Sequence, residues 1–337
     1  MTGTGGVNGG GRENGFGQEL GISSARKAAR AVVFAYHDVG VRCLQVLLDQ
    51  GVEVALVVTH RDAPGERIWF SSVAELAVRH GIETLFPEDP ADPALLEQVR
   101  RLRPDFLFSF YYRRMLPASL LDVASRGAFN MHGSLLPKYR GRAPVNWAVL
   151  HGERETGATL HEMVAKPDAG RIVDQESVSI GPEDSAAEVF RGVTDAAQAL
   201  LRRALPRLIA GTARLTPQEL SRGSYFSGRK PEDGRIDWRA KAADIHNLVR
   251  AVAPPFPGAF TDLDGERLFV HRTRILGPSS LGTKSAMLFA PQGAQHIGVI
   301  CADGAALALI EIALHGKSLS VNEFAERFGR GPLFLVS

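Results

Sequence analysis

With 337 residues, the chain is long enough for one large domain and a smaller one, each able to bury a core. Hydrophobic residues make up 45% and charged residues 23%; the formal net charge of +2 lacks the basic excess of a surface built for extended nucleic acid. No apolar run approaches the roughly 18 residues that span a bilayer, and the first residues lack a signal peptide's apolar core, so the chain reads as cytoplasmic with no membrane partner.

Residues 1–30 are dominated by Gly, Asn, Ser and charge, which predicts a disordered tail. Gly3, Gly5 and Gly6 do not read as a phosphate loop, because no strand precedes them and no helix follows. From 31 the pattern changes. Residues 31–36 (AVVFAY) predict a short buried strand, and 39–50 are apolar at helical spacing up to Gly51. A second strand is expected over 52–60. A helix over 71–81 opens with Ser72 and Glu75 at capping-box spacing. A helix over 95–102, a strand over 105–112, a short helix over 117–124 and a strand over 127–132 follow. The alternation predicts a doubly wound, mostly parallel α/β sheet of Rossmann-like type, covered on both faces. Ligands bind such sheets at the carboxyl ends of the strands, where His37–Asp38, Arg113–Arg114 and Asn130–His132 fall.

Residues 158–164 and 171–180 read as two strands around the loop AKPDAG. A long amphipathic helix then runs from Ser185 to about Leu208, with Glu188 in capping-box position. These elements make up a first domain over 31–210. Residues 211–235, rich in Gly, Ser and Arg, read as a linker. Residues 236–337 hold a helix over 242–252 and then strands broken by Asp-Gly turns at 264–265 and 303–304, which predicts a second, smaller, mostly antiparallel β domain. Cys43 and Cys301 lie far apart with no CxxC and no histidine at metal spacing, so they read as reduced, buried thiols with no metal site.

The chemistry centres on FNMHGS at 129–134. Side chains two apart in a strand share a face, so Asn130 and His132 project together while Met131 points the other way. An amide can hydrogen-bond oxygen that gains charge in a tetrahedral intermediate, and an imidazole can move protons near neutral pH. Asp168 lies at the tip of the loop between Pro167 and Gly170, and a carboxylate beside an imidazole favours its charged form and fixes its tautomer. The bland alternatives stay open: a satisfied strand-end histidine, an asparagine and an aspartate serving turns. Lys138, Arg140 and Arg142 concentrate positive charge in the intervening loop, either as solvated loop charges or as a seat for an anionic substrate.

The stretch FNMHGSLLPKYRGRAPVNWAVLHGERETGATLHEMVAKPDAG resembles the signature of the 10-formyltetrahydrofolate-dependent formyltransferases. Within that group it is most similar to the branch acting on UDP-4-amino-4-deoxy-L-arabinose, in lipid A modification. The supporting stretches are VVFAYHDVG, FSFYYRR, HGSLLPKYRGRAPVNW and VRAVAPPFPGAF, and the likeness extends over roughly residues 31–276. In this group an Asn, a His two residues on and a downstream Asp form the catalytic trio, which implies Asn130, His132 and Asp168 here. It further implies folate contacts from Arg114, Met115, Leu116, Arg142 and the loop Val164, Ala165, Lys166, Pro167 and Asp168.

By the same resemblance the co-substrate is 10-formyltetrahydrofolate, no metal is needed, and the partner is a small nucleotide-sugar amine. A nucleic-acid partner is not expected, and a homo-oligomer is compatible with the sequence. The chain ends at Ser337, short of the decarboxylase fused to the enterobacterial form, so formyl transfer alone is implied. Three other readings compete: a methionyl-tRNA formyltransferase, a hydrolase passing the formyl group to water, and a folate-binding protein without catalysis.

Overall fold

The computed structural model describes residues 1–3, 5–6, 28–63, 65, 68–279 and 285–335. Most of the tail expected to be disordered thus lies outside the described residues.

The chain alternates strand and helix from the start. It runs β1 (Arg30–Ala35), α1 (His37–Asp49), β2 (Glu53–Val58), α2 (Val73–Arg79), β3 (Thr84–Leu85), α3 (Pro93–Leu102), β4 (Phe106–Phe110), α4 (Ala118–Leu121) and β5 (Ala128–His132). After β6 (Arg140–Gly141) and α5 (Pro144–Leu150) come the paired strands β7 (Glu155–Glu162) and β8 (Ile172–Ser179), then the long α6 (Ala186–Ala210). These strands form a seven-stranded sheet in the order β3-β2-β1-β4-β5-β7-β8. Neighbours from β3 to β5 run parallel, whereas β7 is antiparallel to β5 and β8 to β7.

The apolar run of β1 explains its central place. Val33 and Ala35 join the core on one face, Val32 and Phe34 the core on the other, and a strand buried on both faces must be apolar throughout. α6 opens with a reciprocated capping box between Ser185 and Glu188 and closes at Gly211, which takes the left-handed conformation that glycine tolerates. The strand order turns between β1 and β4, which places the ligand crevice beyond their carboxyl ends.

The second sheet follows β9 (Tyr225–Phe226) and α7 (Ala242–Val252). Its strands are β10 (Ala259–Leu263), β11 (Glu266–Pro278), β12 (Met287–Phe289), β13 (Ile297–Ile300), β14 (Ala305–Leu314) and β15 (Lys317–Ser318), with α8 (Val321–Phe328) before β16 (Leu333–Phe334). It is antiparallel throughout, and the Asp-Gly pairs at 264–265 and 303–304 join β10 to β11 and β13 to β14. Cys43 and Cys301 are both buried and free; burial pushes the Cys301 thiol, with Asp303 nearby, up to about 12. Among the described residues, no helix is long and apolar enough to cross a membrane.

Candidate active site

β5 sorts its side chains by alternation. Phe129 and Met131 enter the larger core, so Asn130 and His132 project on the other face, the side on which Ala128 meets the smaller core. That face turns polar toward the carboxyl end: Asn130 lies beside buried Ser109 of β4 and opposite His161 of β7. A strand edge that is apolar at one end and polar at the other places its hydrogen-bonding groups where the loops converge.

His132 is buried, and its Nε2 lies 2.8 Å from the carbonyl oxygen of Tyr139. A carbonyl only accepts, so Nε2 carries the hydrogen and Nδ1 is left to exchange a proton. Asp168 Oδ1 stands 3.5 Å from that Nδ1 and 3.4 Å from Nε2 of His161. Both distances exceed a normal hydrogen bond, leaving room for the rings to reach a ligand atom as well. His161 in turn places Nδ1 2.8 Å from the Glu162 carbonyl and Nε2 3.1 Å from Asn130 Nδ2. Either protonation state of His161 has a partner: the neutral ring accepts from the Asn130 amide, and the charged ring donates to Asp168.

Asp168 itself is in the left-handed region, with φ at 49°. Its Oδ2 accepts the backbone N–H of Gly141 at 2.9 Å, and Arg171 closes the base of the loop with two hydrogen bonds to Glu162, at 2.9 and 2.8 Å. Burial works to raise the Asp168 carboxyl, but the charges of His132 and His161, the contact with His161 and the Gly141 N–H outweigh it and hold the group well below the usual carboxylate range. Two glycines make this closeness feasible. A Cβ on Gly170 would stand 1.9 Å from the Glu162 carbonyl oxygen, and one on Gly141 2.1 Å from that of Phe226.

The remaining expected site residues are spread around this group. Arg114 and Met115 are exposed after β4 while Leu116 is buried; Val164, Ala165 and Lys166 are exposed on the loop, and Pro167 is half-buried. Met115 and Val164 are 59% and 38% exposed, apolar surface that a flat heteroaromatic ligand could cover. Arg142 is exposed beside Gly228. The other loop cations diverge: Lys138 turns to Glu153 at 3.5 Å, whereas Arg140 is buried and its Nε has no partner among the described residues. His37 is not in this group. It stacks on Phe70 with ring centres 3.9 Å apart and abuts Trp69 and Phe190, a packing role at the start of α1.

Sequence reasoning did not single out His161, the Tyr139 carbonyl or the Gly141 N–H. A signal for His161 existed. Thr159 and His161 alternate in β7 as buried polar residues, and polar side chains on the inward face of a strand require partners.

A carboxylate, two imidazoles and a primary amide at the carboxyl edge of a mostly parallel sheet define a class: an enzyme that can steady an oxyanion and move protons. The chain belongs to the formyl transferase family: residues 32–205 match the formyl transferase domain and residues 229–329 the formyl transferase C-terminal domain. Among solved structures, an N-formyltransferase from Helicobacter canadensis in complex with folinic acid and dTDP-3-aminofucose is 20% identical, with a TM-score of 0.66 over 84% of this chain and 98% of that one. The sugar 3N-formyltransferase WlaRD, in the presence of dTDP and 5-N-formyl-THF, is 18% identical, with a TM-score of 0.66 over 86% of this chain and 98% of that one. At these identities the likeness is one of fold.

Proposed function

We propose that this formyltransferase carries the formyl group of 10-formyltetrahydrofolate to the primary amine of a nucleotide-activated amino sugar, and that the acceptor is UDP-4-amino-4-deoxy-L-arabinose. The observation that carries the proposal is the convergence of Asn130, His132 and Asp168 on one face beyond β5. The neutral amine attacks the formyl carbon, and Asn130 with protonated His132 steadies the oxygen of the tetrahedral intermediate. The bond from that carbon to the folate nitrogen then breaks. Protonated His132 gives its Nδ1 proton to the leaving nitrogen and takes up in its place the proton lost by the amine, while the Tyr139 carbonyl holds Nε2 and Asp168 the ring's charge.

Arg114, Met115, Leu116, Arg142 and the 164–168 loop hold the folate in this reading, with the exposed Met115 and Val164 covered by its ring system. Buried Arg140, whose Nε lacks a protein partner among the described residues, is a cation available to an anionic group of the acceptor. The solved relatives named above bind folinic acid or 5-N-formyl-THF together with dTDP or a dTDP-sugar, which supports a folate donor and a nucleotide-sugar acceptor.

Transfer to methionyl-tRNA fits less well. Four of the five arginines at 202–222 that could form a basic face are engaged: Arg202 with Asp49, Arg203 with Asp174 and Glu176, Arg207 with Asp174, and Arg222 with Glu219. The test is a panel of amines with 10-formyltetrahydrofolate, reading tetrahydrofolate release at low and physiological salt. UDP-4-amino-4-deoxy-L-arabinose is expected to be the fastest acceptor with shallow salt dependence, since one diphosphate releases few counterions. Faster formylation of methionyl-tRNA, or formate release without any amine, refutes the proposal.

A further inference from the structure

The segment between the two sheets returns to the site. Thr216 exchanges both backbone hydrogen bonds with Ile172 at the start of β8, each 2.8 Å. Two residues on, Gln218 Nε2 donates to the Asp168 carbonyl at 3.0 Å and to the Gly170 carbonyl at 2.6 Å. Both acceptors lack a hydrogen, so the NH2 group of the amide must face the loop. One side chain therefore spans the turn on which Asp168 adopts its left-handed conformation. Asp168 is held twice: its carboxylate by the Gly141 N–H, its backbone by Gln218.

The same segment reaches His132. Ser224 Oγ accepts the Tyr139 N–H at 2.8 Å, and the Tyr139 carbonyl holds His132 Nε2. β9 pairs with β6 in parallel, Arg140 against Tyr225 and Gly141 against Phe226, next to the N–H that Asp168 uses. Read from sequence as a crossing between domains, this stretch is a strap across the catalytic loops.

We propose that Gln218 is a positioning residue for formyl transfer: its amide fixes the 168–170 turn so that the Asp168 carboxylate faces His132 and His161. The kinetic consequence rests on the formyl-transfer reading; the structural one does not. If Gln218 served only to anchor the strap, its loss would act on stability and leave the geometry of Asp168 untouched.

Gln218→Leu keeps a side chain of similar bulk, though shorter, and removes both donors. Two measurements on the full chain decide. In protein labelled with 15N at histidine, the ring signals of His132 and His161 are expected to move toward their positions in Asp168→Ala; signals unchanged from wild type overturn the proposal, whatever the turnover. In a kinetic cycle, Gln218→Leu is expected to lower kcat by about tenfold to a hundredfold in the wild-type background, yet to cost little further in Asp168→Ala. Additive losses overturn it.

Should Gln218→Leu fail to fold, the same two measurements are made on Gln218→Glu, which is isosteric and polar. At neutral pH its carboxylate opposes two carbonyl oxygens, whereas on protonation one O–H can donate again. Its activity relative to wild type is therefore expected to rise as pH falls, and a flat ratio refutes the positioning role. Absence of turnover in the wild type counts against the formyl-transfer reading alone, and the histidine signals still decide for or against Gln218.

Discussion

Asp168→Asn removes one charge and leaves the shape. The carboxylate lies 3.5 Å from His132 Nδ1 and 3.4 Å from His161 Nε2. At an effective dielectric of about 20, a unit charge pair at 3.5 Å is worth about 5 kcal/mol when the imidazole is protonated, as the transition state requires. Part of that is offset by desolvation, since the Asp168 side chain is only 14% exposed. A net loss of about 3 kcal/mol corresponds to roughly a hundredfold fall in kcat. The assay is steady-state tetrahydrofolate release with saturating donor and acceptor, and a kcat within about threefold of wild type would refute the electrostatic reasoning. Stability supplies a second check. The folded carboxyl lies below its unfolded value, so its contribution is fully present above the unfolded value near 4 and is lost only as pH falls through the folded one. The gap in urea midpoint between wild type and Asp168→Asn should therefore not shrink between pH 7 and pH 5. A gap that closes in that range would mean that Asp168 titrates there.

Three further outcomes are expected. His132→Ala and Asn130→Ala each lower turnover by about a hundredfold or more with the fold retained by circular dichroism, and near-normal turnover removes that residue from the mechanism. Gly141→Ala places a Cβ against the Phe226 carbonyl at a φ of 97°, which should cost about 2 kcal/mol or more and weaken the N–H bond to Asp168; an unchanged thermal midpoint and kcat would contradict that strain. Arg140→Met should raise KM for the nucleotide-sugar more than it lowers kcat, and an unchanged KM in initial-rate measurements would mean that this buried cation serves another purpose.

Sequence alone was sufficient for the local features. The two-face apolar pattern of β1, the capping box at Ser185 and the Asp-Gly turns each set structure through contacts between near neighbours, so they are legible without the fold. The shared face of Asn130 and His132 follows from the strand period for the same reason. Tertiary structure decided which distant groups meet. Asp168 comes to His132 because β7 turns antiparallel against β5 and the loop after it folds back, a matter of strand pairing that spacing along the chain does not encode. His161 joins them only as the cross-strand partner of Asn130. Lys138 and Arg140, two apart in sequence, diverge to an exposed ion pair and a buried guanidinium because the strap after α6 packs against their loop. A backbone carbonyl from Tyr139 and a backbone N–H from Gly141 carry no residue-type signature, since any chain supplies such groups and only their placement gives them a task; the side-chain amide of Gln218 has a residue type, but only the return of the strap aims it at the 168–170 turn.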